Sequence, residues 1–460
     1  MRAALPTLAV AWLVAVPARA DDLHDIYREL VETDTTHAAG STTVAAQAMA
    51  KRLLAAGVPA ADVQVLVPDG RPSKGNLVAR LRGTGAKPPL LLLAHLDVVD
   101  ARKEDWTTDP FKLVEKDGYY YGRGTIDDKA MAAIWVDLVA RLARAKARPE
   151  RDLILALTAD EESGPDNGVS WLLAKHKDLI AAEYALNEGG GGQIKNGKYT
   201  ANDVQVAEKV YANFQLEATN AGGHSSRPTK DNAITHLAGG LARVGAFDFP
   251  VRLDETARAM LAALARIPGM PDARDLAAAA VHPSPAVVAR LSKSSYYNAL
   301  LRTTCVATLV NAGHAENALP QRAQANVNCR ILPGEDPKAV QKTLERVIAD
   351  PGVHVTPVGQ IDSAGPSPLR PELMQAVADL TETMWPGIIV LPAMSTGATD
   401  GRFLRAAGIP CYGVSGIFSD VDDPRAHGKD ERLGVKQLGE GAVFLNRLVT
   451  RLTGLPSQGE

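Results

Sequence analysis

At 460 residues the chain exceeds what one hydrophobic core usually organises, so two domains with sizeable cores are expected. Its 50 Lys and Arg nearly balance 53 Asp and Glu, for a formal net charge of -3, and the basic residues are spread along the whole length. Without a basic arm or stripe to meet a phosphate backbone, nucleic acid is excluded as an expected partner.

In chain order, residues 1–20 run from Arg2 through an apolar stretch at 8–16 to Ala18-Arg19-Ala20. That stretch is too short to span a bilayer and ends in small residues, so it reads as a secretory signal, an uncleaved anchor being the alternative. The mature protein is then expected to begin near Asp21 and to be exported, periplasmic or secreted. No later segment is apolar enough to span, so no membrane association is expected after cleavage.

From 21 to 205, helical spacing at 43–56, 129–145 and 168–176 alternates with short apolar strands at 76–81, 89–94, 152–158 and 184–186. This is the pattern of an α/β layered sheet. Near 206 the texture changes to a strand-like run at 206–219, a Gly-rich turn, a helix at 231–244, strands at 303–310 and 323–332, a helix at 337–348 and a strand at 353–358. Strand, helix, two strands, helix, strand is the split βαβ order of a ferredoxin-like sandwich. An Ala- and Leu-rich stretch at 247–297 interrupts it and reads as a helical insertion. From 366 to 460 the α/β texture returns, with helices at 374–384, 400–406 and 435–452 and strands at 387–391 and 409–414. The expected layout is a discontinuous larger domain, 21–205 and 366–460, with 206–365 inserted in it.

Of the three cysteines, Cys305 and Cys329 fall in two strands flanking a turn-like segment. They are either a disulfide or two buried small apolar side chains. Cys411 follows Pro410 in an apolar run and reads as core.

The chemistry-bearing residues sit at strand ends and loops. His95 and Asp97 come after the apolar strand 89–94 at its carboxyl end, where open α/β sheets place ligands. Being two apart they point to one side, His95 suited to a metal and Asp97 to the other ring nitrogen. Asp127 and Asp128 lead into the helix beginning near Lys129, where capping alone would explain them. Asp160-Glu161-Glu162 come directly after a strand and would repel one another unless protonated or bound to a cation, a surface acidic turn being the plain alternative. Glu188 stands just past a short strand, and His427 in a polar loop before the last helix. Singly each has a bland explanation. Jointly they match what two close divalent cations need: a histidine and a terminal carboxylate each, one bridging carboxylate, and one acid left as a base.

The order and context of these segments resemble the co-catalytic zinc peptidase family of aminoacylase, carnosinase, succinyl-diaminopimelate desuccinylase, glutamate carboxypeptidase and carboxypeptidase S, over nearly the whole mature chain. The resemblance implies a catalytic domain of mixed sheet flanked by helices, with an inserted ferredoxin-like lid and dimerisation domain. It implies two Zn2+ per chain bridged by Asp127, with His95 and Glu188 completing one site and Glu162 and His427 the other. Glu161 matches the general base and Asp97 the orienting acid, and the Asp127-Asp128 peptide is expected to be cis. Gly222-Gly223-His224-Ser225 resembles the lid motif, whose histidine reaches a neighbouring subunit's site and stabilises the oxyanion, which carries with it a homodimer through the lid. Asn317 and Arg330 match substrate-binding positions, Arg330 being suited to a free carboxylate. Gly397 matches the substrate loop, although Ala398 and Thr399 depart from its commonest wording.

The function so implied is a zinc-dependent hydrolase cutting an amide bond next to a free carboxylate, in a small peptide or an N-acyl amino acid. The helical insertion and the wording at 426–432 are most similar to the carboxypeptidase S branch. A dipeptidase of the same fold is the first alternative. A non-catalytic periplasmic binding protein is the second, and it is disfavoured because the chain has lost neither base nor ligand.

Overall fold

The computed structural model describes residues 20–162 and 166–456. Residues 1–19 of the expected signal, and Ser163 and Gly164 of the acidic segment, lie outside the described residues.

At the centre of a ten-stranded mixed sheet, Leu90–His95 runs parallel to Leu153–Thr158 on one side and to Tyr184–Asn187 on the other. All three strands are buried throughout, because helices cover both faces of the sheet and leave no polar side to alternate. Leu90, Leu92 and Ala94 join one core with the helices Thr42–Ala55, Lys129–Arg144 and Val435–Leu452. Leu91 and Leu93 join another with Gly168–Lys175 and Gly401–Ala406. Three parallel neighbours end on the same rim, so the residues just beyond them, His95 and Asp97, Glu161 and Glu162, and Glu188, are delivered to one place.

The joint between the domains differs from the sequence reading. The run expected as one strand at 206–219 is two: Lys198–Glu208 belongs to the large sheet, paired in parallel with Ile389–Ser395, and Val210–Thr219 opens the small one. The hinge is therefore Lys209 and not the 205/206 boundary. Apolar residues continue on both sides of it, so alternation gives no sign of the break.

The small domain is an antiparallel sheet ordered Thr304–Ala312, Arg322–Ile331, Val210–Thr219, Val353–Val358. One face packs on Ala233–Gly245 and Pro337–Ile348 around Phe214, Leu216, Val327 and Leu344. Cys305 lies directly opposite Cys329 and the two are joined, which decides between the alternatives left by the sequence. The insertion forms four helices, from Glu255–Leu264 to Ser295–Leu301, opened by side-chain caps at Asp254, Ser284 and Ser294. Although it interrupts the small domain in sequence, it packs Met260, Leu261 and Leu264 on Ala201, Leu391 and Met394 of the large sheet.

Candidate metal centre

His95, at the end of its strand, is buried and places Nε2 3.0 Å from Asp127 Oδ1. Its Nδ1 lies 3.0 Å from the backbone carbonyl of Asp97 and 3.6 Å from that residue's carboxylate. The carbonyl accepts the hydrogen bond from Nδ1, which leaves Nε2 as the ring atom that faces Asp127. Although burial opposes it, the Asp127 and Asp97 carboxylates hold the imidazole well above its ordinary range, so that without a metal ion Nε2–H donates to Asp127. The expected side-chain contact from Asp97 is too long for a hydrogen bond. Its carboxylate instead accepts the backbone N–H groups of Glu161, at 3.1 Å, and Glu162, at 3.0 Å, so it holds the acidic turn in place.

On the other side of Asp127, His427 Nε2 stands 3.0 Å from Oδ2 and 2.8 Å from Glu162 Oε1. Among the described residues Glu162 Oε1 is nonetheless buried without a well-aligned hydrogen bond. Three sets of ligand-type atoms lie within 4.8 Å of one another: His95, Asp127 and Glu188; Asp127, Glu162 and His427; and His95, Glu161 and Glu162. Asp127 is common to the first two. The peptide between Asp127 and Asp128 is cis, as expected.

Electrostatics supply the fit test for metal. Burial pushes Glu161 up to about 9, the Asp400 and Glu162 charges adding to it, and holds Glu188 well above the ordinary carboxylate range, with Asp127 and Glu161 adding there. Burial raises the neighbouring Asp128 as well, and its Oδ2 has no hydrogen-bond partner among the described residues. The contacts with Asp127 and Glu162 push His427 up to about 10. Acids crowded at buried and half-buried positions, an orphaned carboxylate oxygen and two imidazoles whose Nε2 atoms face one shared carboxylate make up the donor set of divalent cations, and two cations would remove the repulsion at its source.

The other expected residues separate. Arg330 stacks on the Tyr211 ring, 4.7 Å away, and reaches the Thr396 carbonyl at 3.5 Å, next to Gly397, whose amide donates to Ser395 Oγ at 3.0 Å. The loop 396–400 connects that position to the metal centre, because Asp400 accepts from Thr158 and Asn167 beside the acidic turn. His224 and Asn317 are elsewhere. The ribbon Gly223–His224 with Ala318–Leu319 lies beyond the far end of the small sheet, where the Asn317 carbonyl accepts from Ser225 and His224 Nδ1 accepts from Ser226. From Tyr211 opposite Arg330 to Thr219 opposite Arg322 is eight residues of strand, about 26 Å. One chain does not bring His224 to Arg330.

Several supports have no counterpart in the sequence reading. Lys74, buried, binds Asp160 at 2.5 Å, and Asp160 takes the left-handed backbone (φ 57°) from which Glu161 departs. Asn76 accepts the Ala159 amide at 3.0 Å. Glu208 gathers the amide and hydroxyl of Thr399 and the Arg405 guanidinium, which ties the 396–400 loop to the hinge. Only Asp400 carries a readable signal, as an acid at the start of a helical segment.

The model of the peptidase family M20/M25/M40 matches residues 91–451. The human N-fatty-acyl-amino acid synthase/hydrolase PM20D1 is 30% identical over 371 residues, 78% of this chain and 73% of that protein. The probable carboxypeptidase S-like 2 of Dictyostelium discoideum is 29% identical over 374 residues, 78% and 71%. Among solved structures, the M20 metallo-carboxypeptidase Sso-CP2 of Sulfolobus solfataricus superposes with a TM-score of 0.69 at 18% identity, over 95% of this chain and 100% of that one, so the fold is shared. The chain belongs to peptidase family M20/M25/M40 and is a hydrolase of peptide or amide bonds.

Proposed function

We propose that the protein is a di-zinc amidohydrolase that cuts an amide bond next to a free carboxylate in small peptides or N-acyl amino acids. The observation that carries this is that His95 and Glu188 on one side, and Glu162 and His427 on the other, form two adjoining sets of ligand-type atoms that share Asp127. Zinc ions held there supply Lewis acidity, polarising a carbonyl and making a water molecule acidic near neutral pH. Glu161, half-buried beside the cluster, takes the proton of the attacking water and hands it to the leaving nitrogen. Its high proton affinity in the metal-free site suits a group that must hold a proton between those two steps. Arg330, pre-aligned on Tyr211, binds the substrate carboxylate, and Gly397 lines the same loop.

In this reading the protein works as a homodimer, with His224 and Asn317 completing the neighbouring site and His224 stabilising the oxyanion. The eight residues of strand, about 26 Å, that run from the Arg330 position to the end of the sheet beyond which His224 lies support it. So does the unpaired edge strand Thr304–Ala312, on which Val306, Leu309 and Val310 are 60–71% exposed. Export, as read from the first twenty residues, is supported by the Cys305–Cys329 disulfide, a bond that reducing compartments disfavour.

The relative named for N-fatty-acyl-amino acids favours an acyl amino acid over a dipeptide. Kinetics on zinc-loaded protein with one amino acid presented as a dipeptide, as its N-acetyl form and as its N-lauroyl form test this. The expected order of kcat/KM is acyl forms above dipeptide. A dipeptide preferred by tenfold or more makes the enzyme a dipeptidase, and no turnover of any of the three overturns the substrate class.

A further inference from the structure

Four residues beyond His427, the Glu431 side chain is completely buried, and among the described residues its hydrogen bonds go to Arg123 and to backbone amides rather than to the metal-ligand side chains. Its Oε2 accepts the Arg123 guanidinium at 2.6 Å and the Gly124 amide at 3.1 Å. Its Oε1 accepts the amides of Ile126, at 2.9 Å, and of Asp127 itself, at 3.2 Å. Four donors, two on each oxygen, thus come from the five residues that end at the shared carboxylate of the metal centre. Arg123 is buried as well, and its second arm donates to the backbone carbonyl of His427 at 3.3 Å. His427 has a φ of 63°, a backbone state that a residue with a side chain keeps only where its surroundings enforce it.

Resting on the metal-centre reading, we infer that Glu431 and Arg123 form a positioning clamp that fixes Asp127 relative to His427 before any ion arrives. The plain alternative is an ion pair that fastens two loops for stability alone. Against it stands where the bonds end: one arm on the amide of Asp127, the other on the carbonyl of His427, with about 300 residues of chain between them. Two ligands that must meet one ion are brought together by a pair that is not itself a ligand, and hydrogen-bonded supports of this kind set the affinity of metal sites.

Glu431→Gln is nearly isosteric, but it replaces one acceptor oxygen by an NH2 group facing donors, so the clamp loses half its bonds without a change of volume. The experiment strips the protein with a chelator and titrates it with zinc in competition with a chromophoric chelator. Cobalt is titrated in parallel, and its visible spectrum reports ligand geometry. Wild-type protein is expected to take up two ions. Glu431→Gln is expected to bind the ion shared by Asp127 and His427 about 10–100-fold more weakly, with an altered cobalt spectrum. Arg123→Lys keeps a cation beside Glu431 but loses the reach to His427, and it is expected to fall between the two. If Glu431→Gln does not fold, Arg123→Lys decides alone.

Zinc affinity and cobalt spectra unchanged in the variants, with only a lower unfolding temperature of the metal-free protein, would overturn the clamp and leave a structural ion pair. A wild-type protein that binds no ion overturns the metal-centre reading itself, which is a separate result.

Discussion

In the large domain, residues from five segments between His95 and His427 meet because three parallel strands end on one rim and Glu431 draws the His427 loop to Asp127. In the small domain, His224 and Arg330 sit at opposite ends of one antiparallel sheet. The difference is topological. Parallel strands gather the residues at their carboxyl ends along a common edge, whereas a long antiparallel sheet carries its two ends apart. The large domain can therefore assemble its cluster within one chain, and a site that also needs His224 must draw it from a second copy.

The largest effect is expected inside the gathered cluster. Glu161→Gln should lower kcat by about 10^2–10^4-fold while two metal ions per chain remain bound, measured by steady-state kinetics and elemental analysis. A variant with normal turnover removes Glu161 from the mechanism. Next comes the far end of the small sheet: His224→Ala should lower kcat by about 10^2-fold with little change in unfolding temperature. Mixing the two inactive variants sharpens the comparison, because a dimer of one Glu161→Gln chain and one His224→Ala chain has one intact site. Activity recovered on mixing supports the shared site, and its absence confines each site to its own chain.

At the near end of the same sheet, Arg330→Ala should raise KM by about 10–100-fold with a smaller change in kcat, since it removes binding of the carboxylate and not a step of the reaction. A fall in kcat alone would place Arg330 elsewhere in the cycle.

The smallest effect is expected at Asp203, in the strand that leads to the hinge, where burial pushes the carboxyl up to about 7 despite the Gln193 amide. In the unfolded chain this acid ionises near pH 4. Between those values the unfolded state has released the proton and the folded state still holds it, so stability falls as pH rises from about 4 to about 7 and then levels. Asp203→Asn should abolish that slope, so that the variant gains stability over the wild type at pH 8 relative to pH 4, read from denaturant unfolding at both pH values. An equal change at both pH values would show that the carboxyl is not the cause.

The parts of this structure readable from sequence are those in which neighbours in the chain carry the signal. Leu90–His95 announces a doubly covered strand by its unbroken apolar run, and the two halves of the small domain are legible in the order of strands and helices. His95, Glu162 and Glu188 are recognisable because each stands at or just past such an element, whereas Asp127 and His427 stand in loops before helices. The hinge is hidden because Val206 and Ala207 before Lys209, and Val210 after it, form one uninterrupted β-like pattern. The supports are hidden for another reason. Lys74 with Asp160, Glu208 with Thr399 and Glu431 with Asp127 join residues 86 to 304 positions apart, and a buried ion pair leaves no periodicity in either segment. His224 stands out by its Gly-rich motif, but its distance from Arg330 depends on strand register, which only the fold supplies.

Anomalous X-ray scattering at the zinc edge from crystals of zinc-loaded protein tests the central claim most directly. Two peaks per chain are expected, with Asp127 between them, His95 and Glu188 beside one, and Glu162 and His427 beside the other. A single peak, or zinc bound away from these five side chains, would contradict the account.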